Sequence, residues 1–412
     1  RFIMSETTSS NGQGANQSFL LIVIAASCLV AVMFGSRNSL SLTIQGIDQS
    51  NTLDYLQISF AFALGQLVVG AISPFGGMIA DKHGTGKTLT IGILFALFGM
   101  LLIPYSTNVV TLSLSLGIIS SIGLGIAGLP VVLASVNRLI SSEKVGMAFG
   151  LVNAGQSLGQ LILAPIAGLV VVSYGWGACI IFLGIMFASV LPFSYILRSR
   201  LPSKEKSASD DDRGLAETLR IAFKTPSYVY LVSGFFVCGF HVAFIATHMP
   251  GVIASCGLPP TVSGWSLGLI GLFNIVGSIF AGWYISRYSM RLFLSYTYFA
   301  RCLIVLCFLI SPKDLVSVLI FSIALGFTYF SVIPATAGLV GKMFGPKFMA
   351  TLFGFALFSH QIGGFLGAYL GGFFFSISGD YTTVWLLDAS LAIFAALIHL
   401  PIKEKLVYSE AT

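Results

Sequence analysis

Long runs of apolar residues alternate with short polar segments along almost the whole chain. The first run, 18–34, contains no charged residue. About 20 apolar residues suffice to cross a bilayer as a helix, and only helices and closed barrels satisfy backbone hydrogen bonds there. We therefore predict an all-α integral membrane protein with twelve transmembrane helices, at 18–45, 54–80, 86–106, 109–136, 146–173, 177–197, 226–254, 262–286, 291–311, 315–341, 348–376 and 382–402.

One long charged segment divides these helices six and six. It reads "RSRLPSKEKSASDDDRGLAETLR" and starts at Arg198. Such a segment is typical of a linker. The predicted organisation is a flexible amino-terminal tail, a first six-helix bundle, a cytoplasmic linker, a second six-helix bundle and a carboxy-terminal tail, at 1–17, 18–197, 198–225, 226–402 and 403–412.

The two bundles are related by an internal repeat. A shift of 204 residues places "FGSRNSLSLT" on "CGFHVAFIAT", so that Gly35 meets Gly239 and Arg37 meets His241. The same shift also superposes Gly150, Gln156 and Gly159 on Gly354, His360 and Gly363. Duplicated bundles that rock about a central site are the architecture of secondary transporters, which move solutes without ATP.

Composition and charge agree with this reading. The 412 residues are 56% hydrophobic and 9% charged, with a mean hydropathy of +0.93, which excludes an ordinary soluble domain. With the amino terminus in the cytoplasm, 18 of the 21 Lys and Arg face that side. The positive-inside rule therefore predicts that both termini are cytoplasmic, and the loop placement of these residues argues against a nucleic-acid partner. The six cysteines show no metal-ligand spacing, and we expect neither metal nor cofactor.

A loop between the second and third predicted helices resembles a signature of the major facilitator superfamily. The loop reads "GMIADKHGTGK" (77–87), and the repeat of it reads "GWYISRYSMRL" (282–292), with Ser286 in place of the aspartate. The resemblance implies the twelve-helix fold of that superfamily. It also implies that the loops act as a conformational latch and bind no substrate, through Gly77, Asp81, Lys82, Lys87, Arg287 and Arg291.

Within the superfamily, the pattern is most similar to the oxalate/formate antiporter and monocarboxylate transporter branch. The similarity rests on the Gly35 region, on "GFHVAFIATHMP" (239–250) and on the glycine run of the eleventh helix. Two positions depart from that branch. Ser278 stands where an arginine would bind substrate, and His360 stands where the oxalate carrier has a lysine. Substrate identity therefore does not carry over.

Few ionisable residues lie within the predicted helices, and each needs a partner, a cavity or a function. Arg37, Gln156, His241 and His360 occupy repeat-equivalent positions on helices that line the central cavity in this superfamily. His248 lies seven residues after His241, on the same helix face. Unrelated structural hydrogen bonds are the alternative reading of these residues. Asn274 and Tyr329 are further candidate substrate contacts.

The remaining intramembrane charges suggest a structural pair. Arg301 and Asp388 fall at similar depths on the ninth and twelfth helices, which the family places at the periphery of one half. Each would be uncompensated alone, so we predict that they form a buried ion pair. Arg37 then has no acid to neutralise it, and a cavity with basic and neutral polar groups favours an anion.

These observations predict a secondary active transporter for a small organic anion, with a carboxylate as the expected substrate. Transport would be proton-coupled through His360 and His241, or would proceed by anion exchange. Efflux of hydrophobic or cationic compounds is the alternative within transporters, and a passive channel or a receptor is the alternative from another class. The sequence has no phosphate-binding loop and no paired intramembrane acids, so it is not an enzyme. We expect a monomer in the lipid bilayer of a bacterial inner membrane.

Overall fold

The computed structural model describes residues 9–50, 53–199, 215–345 and 349–407 and is almost entirely helical. Ten helical segments in this part are long and apolar enough to cross a membrane. One of them, Met147–Ile196, contains two crossings because the chain breaks at Gly175, where φ is 85°. The 30-residue helix Met349–Ser378 is a further crossing. The twelve predicted crossings and the all-α membrane fold are confirmed.

The helices are labelled in chain order. They are α1 (Phe19–Gln49), α2 (Tyr55–Ala80), α3 (Thr85–Tyr105), α4 (Val109–Leu139), α5 and α6 (Met147–Ile196, before and after Gly175), α7 (Pro226–Ser255), α8 (Pro260–Ile285), α9 (Met290–Ile310), α10 (Leu315–Phe344), α11 (Met349–Ser378) and α12 (Thr382–His399).

The predicted tails and linker are described only in part. The first helix extends back to Ser9, so the stretch predicted as a tail is helical from that residue onward. In the predicted linker, a short helix, Leu215–Lys224, precedes α7. Residues 1–8, 200–214 and 408–412 lie outside the described residues.

Glycines set the same close helix crossing in both halves. A Cβ atom at Gly159 of α5 would lie 1.9 Å from the carbonyl oxygen of Ala31 in α1. In the second half, a Cβ atom at Gly363 of α11 would lie 2.0 Å from the carbonyl oxygen of Phe236 in α7. Only glycine permits these approaches, as expected where small residues bring membrane helices together. The repeat seen in the sequence is therefore a repeat of helix packing.

The two halves meet through α2 with α11 and through α5 with α8. A Cβ atom at Gly70 of α2 would lie 2.7 Å from the side chain of Gln361 in α11. On the other side, a Cβ atom at Gly264 of α8 would lie 2.7 Å from the carbonyl oxygen of Ala164 in α5. Small residues again allow close approach. These two seams frame the space between the halves.

Candidate functional site

A narrow cavity of about 40 Å³ lies between α1, α2, α4 and α7, with both halves of the molecule in its wall. Its volume is enough for a few water molecules. The lining residues are Arg37, Asn38, Leu40, Phe62, Gly65, Gln66, Leu116, Ser120, Ser121, Leu124, Ala246 and Thr247. Most of them lie about eight to thirteen residues from a helix end, which puts the cavity near the middle of the bundle.

Arg37 supplies the positive charge of this cavity. Its side chain is half-buried, and Nη2 donates a hydrogen bond of 2.5 Å to Oε1 of Gln66 on α2. Gln66 is neutral, so the contact orients the guanidinium without cancelling its charge. Among the residues that the structure describes, Arg37 forms no ion pair. An arginine charge inside a membrane protein thus lines a cavity with no acid beside it.

An irregular stretch of α4 forms the opposite wall. Residues Ser113–Ser120 adopt a π-helix, and the Ser121 hydroxyl donates to the carbonyl oxygen of Leu116, five residues earlier, at 3.0 Å. The widened turn brings Leu116, Ser120 and Ser121 to the cavity. π-Helical turns are uncommon in proteins, and those that occur are often found at functional sites.

A hydrogen-bonded network joins the two halves at one end of the bundle. The hydroxyl of Tyr55, at the start of α2, lies 2.9 Å from Nδ1 of His248 and 2.7 Å from the hydroxyl of Tyr381. Nearby, the Gln45 amide donates to the carbonyl oxygen of Pro250 at 3.3 Å. We call this end of the bundle, where α2 begins and α7 ends, the Tyr55 end. His248, a predicted substrate contact, thus belongs to a seal between the halves.

Two other predicted substrate contacts lie away from the lining of the cavity. Gln156 on α5 is half-buried and donates to Oδ1 of Asn153 at 2.5 Å. His360 on α11 is half-buried, packs on the ring of Phe235 at 4.9 Å between centroids and lies 3.4 Å from the Gln361 amide oxygen. The structure does not bring either residue to Arg37.

Asn274 and Tyr329 are engaged in packing between helices. The Asn274 amide donates to Oγ of Ser157 at 2.8 Å, and its oxygen accepts from the backbone N–H of Phe330 at 2.9 Å. These bonds join α8 to α5, in the other half, and to α10. The Tyr329 hydroxyl donates to the carbonyl oxygen of Val242 at 3.1 Å.

The predicted pair of Arg301 with Asp388 is wrong in its partner. Oδ2 of Asp388 lies 2.6 Å from Nδ1 of His241, and both side chains are fully buried. Arg301 instead donates to the carbonyl oxygens of Thr328 and Tyr329, where α10 is interrupted. The break exposes two backbone oxygens that accept from Nη2 of the guanidinium, and the rotation of α7 turns His241 towards α12. His241 is therefore held inside the second half and is absent from the cavity wall.

The predicted latch loops lie at the ends of helices, away from the cavity. Lys82 and Lys87 are exposed, a Cβ atom at Gly77 would meet nothing within 4 Å, and the side chain of Asp81 lies outside the described residues. In the second copy, the Arg287 guanidinium covers the ring of Trp283 at 4.9 Å. Arg291 donates to the carbonyl oxygens of Leu400 and Ile402 at 2.9 and 3.3 Å, so it ties the start of α9 to the end of α12.

The structure adds residues that the sequence reasoning missed. Gln66, Asn38 and Thr247 line the cavity, and Tyr55 and Tyr381 join the two halves at the Tyr55 end. All are uncharged polar side chains within or next to apolar runs. Polar groups inside a membrane are costly unless they find partners, so a search of the helices for neutral polar residues would have found them.

Comparison with known proteins decides the family. The family model described as Major Facilitator Superfamily matches residues 26–368. The chain belongs to the major facilitator superfamily. It is 26% identical over 357 residues to the uncharacterised transporter YcxA of Bacillus subtilis, covering 84% of this chain and 86% of that one. It is 22% identical over 379 residues to monocarboxylate transporter 12 of Rattus norvegicus, covering 84% and 77%. This superfamily member is a secondary transporter and not an enzyme.

Solved structures of the superfamily share its architecture. The nucleoside transporter NupG superposes with a TM-score of 0.75 at 15% identity, covering 92% of this chain and 98% of that one. The D-xylose–proton symporter superposes with a TM-score of 0.75 at 12% identity, covering 94% and 99%. At these identities the likeness shows the fold alone.

Proposed function

We propose that this transporter moves a small organic anion, a carboxylate, across the membrane by alternating access. The observation that carries the proposal is the Arg37 guanidinium, which lines the cavity between the halves with neutral Gln66 as its bonded partner. A guanidinium presents parallel N–H donors that match the two oxygens of a carboxylate. A bound anion would neutralise the charge of Arg37, for which the lining residues provide no acidic partner.

The cavity chemistry supports an anion over a cation. Asn38, Ser120, Ser121 and Thr247 add neutral polar groups, and no acidic residue is among the lining residues that the structure describes. A low-dielectric site with one positive charge favours binding of negative charge. Relatives named monocarboxylate transporters 12 and 13 point in the same direction.

The efflux alternative needs an acid that faces a cationic substrate. Asp388, the deep carboxylate of the second half, is fully buried against His241 and contributes nothing to the cavity wall. A passive channel is disfavoured because the duplicated halves with their close glycine crossings suit alternating access. Both readings are therefore weaker than anion transport.

The location of the transporter is proposed from charge. Basic residues concentrate in the loops opposite the Tyr55 end, so the positive-inside rule puts both termini and the linker in the cytoplasm. The Tyr55 end then faces outward. We propose a monomer in a bacterial inner membrane, with coupling to protons or exchange against a second anion.

Counterflow in proteoliposomes tests this function. Vesicles are preloaded with one unlabelled organic acid from a panel of mono- and dicarboxylates, and uptake of the same labelled acid is followed. We expect counterflow for at least one carboxylate, and loss of it in Arg37→Ala. Arg37→Lys should be poor too, because a point charge does not reproduce a two-pronged contact.

Arg220→Ala is the matched control, since Arg220 is exposed on the short helix before α7. It should transport like the wild type. Counterflow of cations but of no anion would overturn the proposal, as would Arg37→Ala protein with unchanged substrate affinity.

A further inference from the structure

We propose that His241 and Asp388 form a proton-binding site inside the second half of the transporter, separate from the cavity. The ligand of this site is a proton that travels with the anion. This inference rests on the proposed anion transport and assigns its coupling to a particular pair.

The geometry of the pair leaves positions open for a proton. His241 on α7 and Asp388 on α12 are 1% and 0% exposed, and their Nδ1 and Oδ2 atoms lie 2.6 Å apart. With Asp388 ionised, Nδ1 of neutral His241 donates to it, so Nε2 keeps its lone pair. Neither Nε2 of His241 nor Oδ1 of Asp388 has a hydrogen-bond partner among the described residues. A proton on Nε2 converts the pair into an imidazolium held by a carboxylate.

The charge balance around the pair explains why the proton can come and go. Arg301 is fully buried in the same half, within electrostatic range of Asp388, and is always charged. Its positive charge and the carboxylate cancel while His241 is neutral. One added proton therefore changes the net charge of this cluster from zero to plus one. Burial disfavours this extra charge, so the proton binds when a nearby negative charge compensates it and leaves when that charge has gone.

Other titratable groups surround this cluster from each packed helix. Tyr298 and Cys302 come from α9, and Cys238 comes from α7 itself. Tyr329 comes from α10, and His360 approaches Cys238 from α11. The cysteine thiols and tyrosine hydroxyls are neutral in their ordinary state, and His360 is a second histidine close to the cluster. The test must therefore separate His241 from His360.

Helix α7 connects the pair to the cavity. Ala246 and Thr247, which line the cavity, follow His241 by five and six residues, or about 8–9 Å along the helix. An anion bound in the cavity carries minus one, and attraction across the low-dielectric interior favours the plus one of the protonated cluster. The proton adds from water to the Nε2 lone pair and returns to water on the other side after the anion has left. Anion and proton thus move in the same direction.

Two measurements on the full chain in lipid test the site. First, uptake of the transported carboxylate is driven by an imposed pH gradient and compared with counterflow, which needs no net proton movement. In Asp388→Asn and His241→Gln we expect counterflow within about threefold of wild type and loss of at least 90% of gradient-driven uptake. Asp314→Asn, an exposed carboxylate that caps the start of α10, is the matched control and should keep both activities.

The second measurement needs no substrate. The protein has five histidines, and NMR spectra with ¹⁵N-histidine labelling distinguish their ring nitrogens. Among the Nε2 signals that respond to pH, one should be absent in His241→Gln. In Asp388→Asn its titration should move down by at least one pH unit, a tenfold loss of proton affinity. These spectra also serve if His241→Gln does not fold.

The outcomes separate the two proposals. Absence of carboxylate counterflow in the wild type would end the proposed function, while the histidine titration would still decide the proton site. A wild type without gradient-driven uptake, variants that keep it, a His241 signal that does not titrate, or loss of coupling only in His360→Gln would each overturn the proton site.

Discussion

The Tyr55 hydroxyl donates a hydrogen bond to Nδ1 of His248 across the boundary between the two halves. The direction follows from the other ring nitrogen, because Nε2 of His248 lies 2.7 Å from the carbonyl oxygen of Ala368, which can only accept. Neutral His248 then offers Nδ1 as the acceptor for Tyr55 at 2.9 Å. The Tyr381 hydroxyl must in turn donate to Tyr55 at 2.7 Å. Each donor in the seal has one acceptor.

Tyr55→Phe should loosen the Tyr55 end. The variant loses both hydrogen bonds of the hydroxyl and keeps the ring that packs on Phe375 at 4.9 Å. Two net hydrogen bonds are worth about 1–3 kcal/mol, which corresponds to a shift of about fivefold or more towards conformations open at this end. Tyr105→Phe, at an exposed tyrosine at the end of α3, should leave the equilibrium unchanged.

Spin-label distances measure this shift. Labels at Val110→Cys and Val316→Cys report the separation of the halves, since both residues are exposed in the first turns of α4 and α10. The background replaces by serine the cysteines that are not buried, Cys28, Cys256 and Cys307. Identical distance distributions in Tyr55→Phe and the wild type would show that the network does not hold the halves together.

Gly239→Ala should destabilise the protein much more than Gly354→Ala. A Cβ atom at Gly239 of α7 would lie 1.7 Å from the carbonyl oxygen of His360, so α7 and α11 would have to separate. At Gly354, also on α11, nothing lies within 4 Å. Overpacking costs about 1–3 kcal/mol or more, and alanine favours a helix over glycine. Melting in detergent should show a drop for Gly239→Ala and little change or a rise for Gly354→Ala, and similar melting temperatures would contradict the close crossing.

Gln66→Glu should suppress anion transport by about tenfold or more. The new carboxylate would replace the amide 2.5 Å from Nη2 of Arg37 and neutralise the charge that the substrate needs. The change is almost isosteric, so folding should be retained. Gln57→Glu is the control, because glutamate keeps the capping box that Gln57 forms with Asp54 on the same helix. Counterflow at wild-type rates in Gln66→Glu would show that substrate binding does not need the charge of Arg37.

Glu404 should make stability depend on acidity at one end of the second half. Partial burial raises the pKa of this carboxyl, but the Arg291 N–H, the Ser289 hydroxyl and the Lys342 ammonium donate to it, and the pKa is lowered below its ordinary value. A carboxyl with a lowered pKa in the folded state contributes stability above its unfolded pKa and loses it as the pH falls through the folded value.

The melting temperature of the wild type should therefore fall as the pH drops below about 5. In Glu404→Gln it should be lower near neutral pH and fall less on acidification. Glu217→Gln, at an exposed residue of the short helix before α7, should follow the wild-type curve. A curve for Glu404→Gln parallel to that of the wild type would show that these contacts do not stabilise the fold.

The sequence by itself determined the fold and the presence of an intramembrane charge. Runs of apolar residues must become helices in a bilayer, because the backbone has no other way to satisfy its hydrogen bonds there. The repeat in which Gly35 matches Gly239 indicated two equivalent halves, and the structure shows the same close crossings in both. Arg37 stood out because charge is rare in such runs, and the structure places it on the cavity.

Only the tertiary structure decided which side chains meet. Membrane helices that touch both lipid and protein are apolar on all faces, so the sequence does not show which face of α7 or α12 points inward. For that reason, Asp388 was predicted to bind Arg301, whereas the rotation of the helices gives it His241 at 2.6 Å. The break in α10 was also invisible in the sequence, and two carbonyl oxygens at this break accept hydrogen bonds from Nη2 of Arg301. The depth of a side chain in the membrane follows from its position along the helix, but the direction in which it points around the helix axis follows from packing.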